Sequence, residues 1–389
     1  MLLRLAIVCR RLEEPHRRRV NTLNILFTST IPYLPQNFGG VGTNTHELAL
    51  ELIQRGHRPA VLTRLSYGNA FGVRTALATR IKRRNLSCDV GYGYPVWRAR
   101  WPRTLVKEVP RPDVVVMQDG DMLPFAAAFG DLGVPTVSYF HGLDFEDWKI
   151  DGRPTTTADL PAIPYFANSE FTAGRFHARY GLAATVIPPV FRAERYQTAG
   201  TGRNVTFINP VAEKGVEIAL ELAARCPEIK FVFVKGWPLS LRNQFSLWNR
   251  LRRLPNVTLR ERSMEMRSVY ADCRVLLVPS TWGRETWGRV ASEAQFSGIP
   301  VLGSDIGGLP EAIGPGGVVV GAKEPIQIWV SALKRLWHDQ DWYREKSKQA
   351  ITYAQRRQLD IVEQVATLER GLMQAIDAKS IQQQKASAR

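Results

Sequence analysis

Three things are scarce in this chain of 389 residues, and each narrows what it is. No apolar run reaches the ~18 residues that a membrane-crossing helix needs, so no spanning segment is expected. There are 4 cysteines, Cys9, Cys88, Cys226 and Cys273, spaced neither as C-x-x-C nor with a histidine partner. That spacing argues against a disulfide framework and a zinc site, and it suits a reducing cytoplasm. Acids are in deficit, 36 against 52 basic side chains, for a net charge of +16. Such a surface attracts nucleotide phosphates, acidic lipid headgroups or nucleic acid. The opening "MLLRLAIVCRRLEEPHRRR" also lacks the order of a secretion signal, because its arginines follow the apolar part and no small-residue cleavage site appears. Residues 1–20 are therefore set apart as an N-terminal extension.

What is present is alternation. The length exceeds the ~250 to 300 residues at which one core stops growing, which predicts two domains. "LNILFTS" is an apolar run suited to a buried parallel strand. After the loop "TIPYLPQNFGGVG", the segment "TNTHELALELIQRGH" places Leu48, Leu52 and Ile53 at helical spacing and ends on Gly56. "RPAVLT" is the next strand, completing a βαβ unit and implying a parallel sheet. Strand and helix patterns continue to Pro188, pause over the polar "FRAERYQTAGTGRN", and resume from "NVTFINP" to "IPVLGSD". The expected division is an N-terminal domain over 21–190, a linker over 191–202, a C-terminal domain over 203–360 and a helical tail over 361–389. The fold class is α/β, with two doubly wound Rossmann-like domains facing across a cleft.

Parallel sheets bind ligands outside the carboxyl ends of their strands, so the residues just after each apolar run are the informative ones. Gly39, Gly40 and Gly42 follow the first strand; with Thr45 at the third glycine position they miss the full dinucleotide fingerprint, yet still admit backbone to a phosphate or sugar. His141, followed by Asp144, Glu146 and Asp147, is the densest polar cluster at a strand end. Lys214 precedes a helix, where an ammonium can meet a diphosphate. In "RETWGRVASEAQFSG", Glu285 falls in a loop and Glu293 near the middle of a helix expected to begin at Trp287 or Gly288. At ~1.5 Å rise per residue they stand on the order of 12 Å apart. Carboxylates only accept hydrogen bonds, which suits sugar hydroxyls, while the helix start between them and a lysine suit phosphate.

These stretches, collinear with "YFHGLDF", "FANSEFT" and "SDIGGLPEAI", resemble the retaining GT-B-fold glycosyltransferases of the Glu-x7-Glu type (group 1, family 4) over about residues 24 to 360. The resemblance implies transfer of a hexosyl unit from a nucleoside-diphosphate sugar to a saccharide or lipid-linked acceptor, with no metal or other cofactor. It implies that Glu285 meets the donor sugar together with backbone of Thr286, Trp287 and Gly288, and that Glu293 holds the ribose. It further implies that Lys214 binds the diphosphate, that His141 faces the reacting sugar, and that Gly39, Gly40, Gly42 and Asp144 lie by the diphosphate and acceptor. His141, Glu285 and Lys214 would be the catalytic set.

Two departures stand out. Asn209 occupies a position where the family usually has an arginine, and Lys235 and Arg284 are the candidates to replace that cation. "PSTWGRE" is also about two residues longer before the glutamate than the family's usual spacing. The basic stretch from Arg74 to Arg111, with Trp97 and Trp101, suits an anionic saccharide or the inner face of an anionic membrane. The rival readings are a metal-dependent GT-A transferase using Asp119 and Asp121 and a basic nucleic-acid-binding protein. No nucleic-acid-binding motif accompanies the charge, so no specific nucleic acid is expected as a partner.

Overall fold

The computed structural model describes residues 22–199, 202–237, 239–263 and 265–387; the N-terminal extension, residues 200–201 of the linker and Pro238 lie outside the described residues. Two large sheets organise them. The first runs, edge to edge, through Thr185–Val186, Tyr165–Ala167, Thr136–Phe140, Val114–Gln118, Asn24–Pro32, Arg58–Arg64, Val96–Ala99 and Leu86–Asp89. All of its pairings are parallel except the last. The second runs Val257–Arg260, Phe231–Val234, Asn204–Ile208, Cys273–Val278, Val301–Ser304 and Gly317–Val320, parallel throughout. Strands such as Val114–Gln118 and Thr136–Phe140 are buried at every residue, which is why they read as unbroken apolar runs rather than as alternation.

The first helix, Gly40–Gln54, begins earlier than its sequence pattern suggests. Gly39 is its N-cap and already accepts the Thr43 N–H at 3.1 Å, so Gly40 and Gly42 lie in the first turn rather than in an open loop. The helix carrying Glu293 is short, Arg289–Gln295. It starts after Gly288, whose φ of +83° and whose missing Cβ, which would stand 2.3 Å from Leu309, both require glycine. Helix Glu170–Tyr180 is capped by Ser169, which accepts the Thr172 N–H at 3.0 Å, and ends on left-handed Gly181.

The segment expected to be a polar linker is anchored. Phe191 and Tyr196 are buried with Phe296, at ring separations of 5.9 and 6.5 Å, in the C-terminal domain's core. Arg192 and Arg195 turn instead to Glu47 of the first helix. The final helix, Ile361–Ser387, returns to the N-terminal domain and buries Val365, Leu368 and Leu372 in its core. Burial opposes charge on Glu369 of that helix, but hydrogen bonds from His57 and Arg55 prevail and hold its carboxyl at about 2.

Candidate active site in the interdomain cleft

The carboxyl ends of the two sheets meet. Thr286, buried in the loop between strand Cys273–Val278 and helix Arg289–Gln295, donates its hydroxyl to the His141 carbonyl at 2.6 Å and accepts from the Asn168 amide at 2.9 Å. Glu311 reaches across to accept the backbone N–H of Glu170 at 2.9 Å, capping an N-terminal-domain helix from the other domain. Arg284 pairs with Asp147, with Glu146 at 4.0 Å. The guanidinium of Arg262 stacks on Phe38 at 4.4 Å. Candidate residues from both halves of the sequence therefore share one cleft.

On the C-terminal side the charges are paired. The Lys214 ammonium contacts the Glu285 carboxylate, and Ser280 Oγ lies 3.4 Å from the same oxygen. Glu285 is held from behind: its carbonyl accepts the Gly308 N–H at 2.8 Å. A Cβ on Gly307 would stand 1.9 Å from that carbonyl, and one on Gly308 would stand 2.1 Å from the Thr286 carbonyl, so "IGGLP" must carry its two glycines there. Glu293 is buried, accepts the Tyr270 hydroxyl at 2.9 Å and lies 3.5 Å from the Arg289 guanidinium. Burial raises its pKa and Arg289 opposes the rise. Arg289 also donates to the Val190 carbonyl at 3.1 Å and the Tyr196 hydroxyl at 3.2 Å, and its Cδ would be 3.4 Å from a Cβ on Gly40.

On the N-terminal side the groups are neutral or desolvated. His141 packs on Tyr139 with ring centroids 4.2 Å apart, and burial, helped by Arg289, pushes its pKa down to about 3. Gln118 holds the ring: its side-chain amide lies 2.9 Å from His141 Nε2 and 2.8 Å from the Thr45 hydroxyl, which also reaches the Val41 carbonyl at 2.8 Å. Asp119, at φ +37°, accepts the His141 backbone N–H at 3.1 Å; burial, and then Asp144 nearby, push it up to about 7. Asp144 itself accepts the Gly120 N–H at 3.1 Å.

Trp287 is core, 2% exposed, with its indole N–H on Ser292 at 3.1 Å, which leaves its backbone for a ligand. Several expectations change. Neither candidate for the missing cation is free: Arg284 engages the Asp147 loop and Lys235 pairs with Glu261 at the surface. Asp119 and Asp121 diverge, the first inward to His141 and the second outward to Arg103 at 3.7 Å, and no metal-ligating cluster occurs among the described residues. Trp97 sits partly buried against the core while Trp101 is exposed. The sequence reading missed Arg289, because in "WGRVASEA" it merely starts an apolar helix. It also missed Asn168, although "FANSEFT" is among the stretches that carry the family resemblance.

Two parallel-sheet α/β domains meeting at their strand ends define the GT-B class of fold. Solved structures of the same architecture include an Anabaena protein, HepE, in complex with UDP-glucose, at TM-score 0.69 and 17% identity over 92% of this chain and 100% of that one. A sucrose-phosphate synthase from Thermosynechococcus elongatus matches at TM-score 0.66 and 16% identity over 91% and 99%. The chain belongs to the group 1 glycosyltransferases: the Glycosyltransferase Family 4 model matches residues 38–195 and the Glycosyl transferases group 1 model residues 201–357. Among curated proteins it is similar to the D-inositol 3-phosphate glycosyltransferases of Corynebacterium diphtheriae, 40% identical over 92 residues, and Nocardia farcinica, 40% over 88. Those matches cover 23% and 22% of this chain and 21% and 19% of the relatives, so the alignment spans about a fifth of their length.

Proposed function

We propose that the protein transfers a hexosyl unit from a nucleoside-diphosphate sugar to a saccharide or lipid-linked acceptor, with retention of configuration and without a metal ion. The observation that carries this reading is the Lys214–Glu285 pair at the cleft, beside the Thr286 bridge to His141. In the absence of ligand the ammonium and the carboxylate neutralise each other. A sugar diphosphate offers each a better partner: Lys214 turns to the phosphate oxygens and Glu285 to the sugar hydroxyls. Glu293 would take the ribose hydroxyls in exchange for its Tyr270 and Arg289 contacts. The helix that starts between the two glutamates and carries Glu293 spans only Arg289–Gln295, so its dipole is a small contribution and the diphosphate charge falls mainly to Lys214.

With its pKa near 3, His141 is neutral at physiological pH and presents hydrogen-bonding nitrogens rather than a mobile proton. The acceptor's proton would therefore pass to the leaving diphosphate as the new glycosidic bond forms on the same face. The divergence of Asp119 and Asp121 favours a metal-free reaction. No helix among the described residues is long and apolar enough to cross a membrane. Peripheral contact with an anionic membrane at the cytoplasmic face is supported by helix Ala70–Ile81, where Val73, Leu77 and Ile81 recur every four residues at 53%, 58% and 73% exposure beside Arg74 and Arg80. A thermal-shift panel of UDP-, GDP- and ADP-hexoses tests the donor class without an acceptor: one series should raise the melting temperature in proportion to the logarithm of ligand over Kd. Transfer that persists in excess EDTA and yields the donor's own anomeric configuration supports the rest; inversion or abolition by EDTA overturns it.

A further inference from the structure

Two tryptophans outside the core stand beside the Lys214–Glu285 pair, and nothing in the transfer step uses them. Trp329 and Trp287 are 0% and 2% exposed and serve packing, whereas Trp237 and Trp282 are 41% and 38% exposed, in the loops after the two strands that flank Asn204–Ile208. Their ring centroids are 6.2 Å apart with planes at 89°, which makes a corner rather than a sandwich. The Lys214 ammonium lies 5.2 Å from one ring centroid and 5.5 Å from the other. A cation over an aromatic face is favourable, and it occupies ring surface that otherwise faces water.

Both rings are built onto the lysine's own loop. The backbone N–H groups of Thr281 and Trp282 each donate to the Glu213 carbonyl at 3.1 Å, immediately before Lys214. Asn209, which stands where the family resemblance implies an arginine, is buried at φ +67° and accepts the Trp237 N–H on its side-chain oxygen at 2.8 Å. A Cβ on Gly236 would meet Asn209 at 2.9 Å, so that glycine lets the loop close on the asparagine. The departure at 209 therefore braces the aromatic loop instead of supplying charge. The longer "PSTWGRE" loop carries the second ring.

We propose that Trp237 and Trp282 form a corner that stacks on the apolar C–H face of the donor's pyranose while Glu285 binds its hydroxyls. This rests on the nucleotide-sugar reading above. At 6.2 Å and 89° the two rings make an edge-to-face pair, so they offer a ligand two surfaces at a right angle rather than a slot between parallel faces. The neighbouring groups agree, since a carboxylate accepts from hydroxyls and a lysine binds the diphosphate that the same sugar carries. When Lys214 moves to that diphosphate it uncovers the ring faces.

The test is calorimetric titration of UDP-glucose and of UDP alone, or of the GDP or ADP pair if wild-type protein prefers it, into wild type, Trp282→Ala, Trp237→Ala, Trp282→Phe and Asn209→Gly. Each alanine variant should lose about tenfold in affinity for the sugar nucleotide, the size of one aromatic contact, and less than twofold for the nucleotide. Trp282→Phe should retain most of the affinity. Asn209→Gly, which tolerates the backbone but frees Trp237, should show the same selective loss at smaller size. Equal losses for sugar nucleotide and nucleotide would mean that the corner grips base or phosphate, and no loss would mean that it does not touch the donor; either result overturns the proposal. If no nucleotide sugar binds wild type, it is the functional reading that fails. Both rings are half exposed, so melting temperatures near wild type are expected and would show that the variants fold.

Discussion

The two faces of the cleft are built on opposite electrical principles. On the C-terminal face, Lys214 with Glu285 and Arg289 with Glu293 are full charges already paired. On the N-terminal face, His141 is neutral, oriented through Gln118 and Thr45, and Asp119 is desolvated until its carboxyl titrates near neutrality. The charged face can exchange internal partners for ligand, because each of its groups has an opposite charge to leave behind. The neutral face cannot compensate a phosphate; it can only position. Under the proposed function, that difference would give donor binding to the second domain and orientation of the reacting sugar to the first.

The largest effect should come from breaking a charge pair. Glu285→Gln and Lys214→Ala should each lower kcat/KM by about 10² to 10³, the loss seen when one electrostatic contact to a reacting group is removed. Steady-state kinetics with the donor found by thermal shift checks this; turnover near wild type in both variants would remove the pair from the mechanism. A smaller effect should follow from loosening the join between the faces. Thr286→Val deletes hydrogen bonds to His141 and Asn168, costs about 1 kcal/mol for each net bond, and should reduce kcat several-fold with little change in nucleotide affinity.

A further effect concerns the neutral face and is one of stability rather than rate. Asp119 has its folded pKa raised from 3.8 to about 7, so its contribution is fully present below pH 3.8 and is lost as pH rises through 7, where charge must be buried. Asp119→Asn keeps the acceptor and favours the same positive φ. It should melt higher than wild type at pH 8 and equally at pH 3.5. His141, at about 3, should contribute no ionisation to the rate profile between pH 6 and 9.

How much of this was legible in the sequence follows from where each residue sits. His141 directly follows an apolar strand and Lys214 and Glu285 lie in the loops after two others, and parallel sheets deliver such positions to the ligand edge. The βαβ alternation likewise predicted both sheets. Arg289 and Asn168 were hidden because the contacts that place them in the cleft, Val190 and Tyr196 for the first and Thr286 for the second, lie far along the chain, and periodicity reports only neighbours within an element. The start of the first helix was misplaced because glycines are read as loop, although here they open its first turn against Arg289. The role of Asn209 was illegible for a similar reason: a left-handed asparagine bracing a loop leaves no pattern. Trp237 and Trp282 were visible as residues, but only the fold sets them perpendicular beside one lysine.

The central claim is that the paired charges of the C-terminal face stand in for a nucleoside diphosphate. Calorimetric titration of that diphosphate, without sugar, into wild type and Lys214→Ala tests it most directly. A loss of at least tenfold in affinity, with a melting temperature near wild type, is the expected result; equal affinity in the two proteins would contradict the claim.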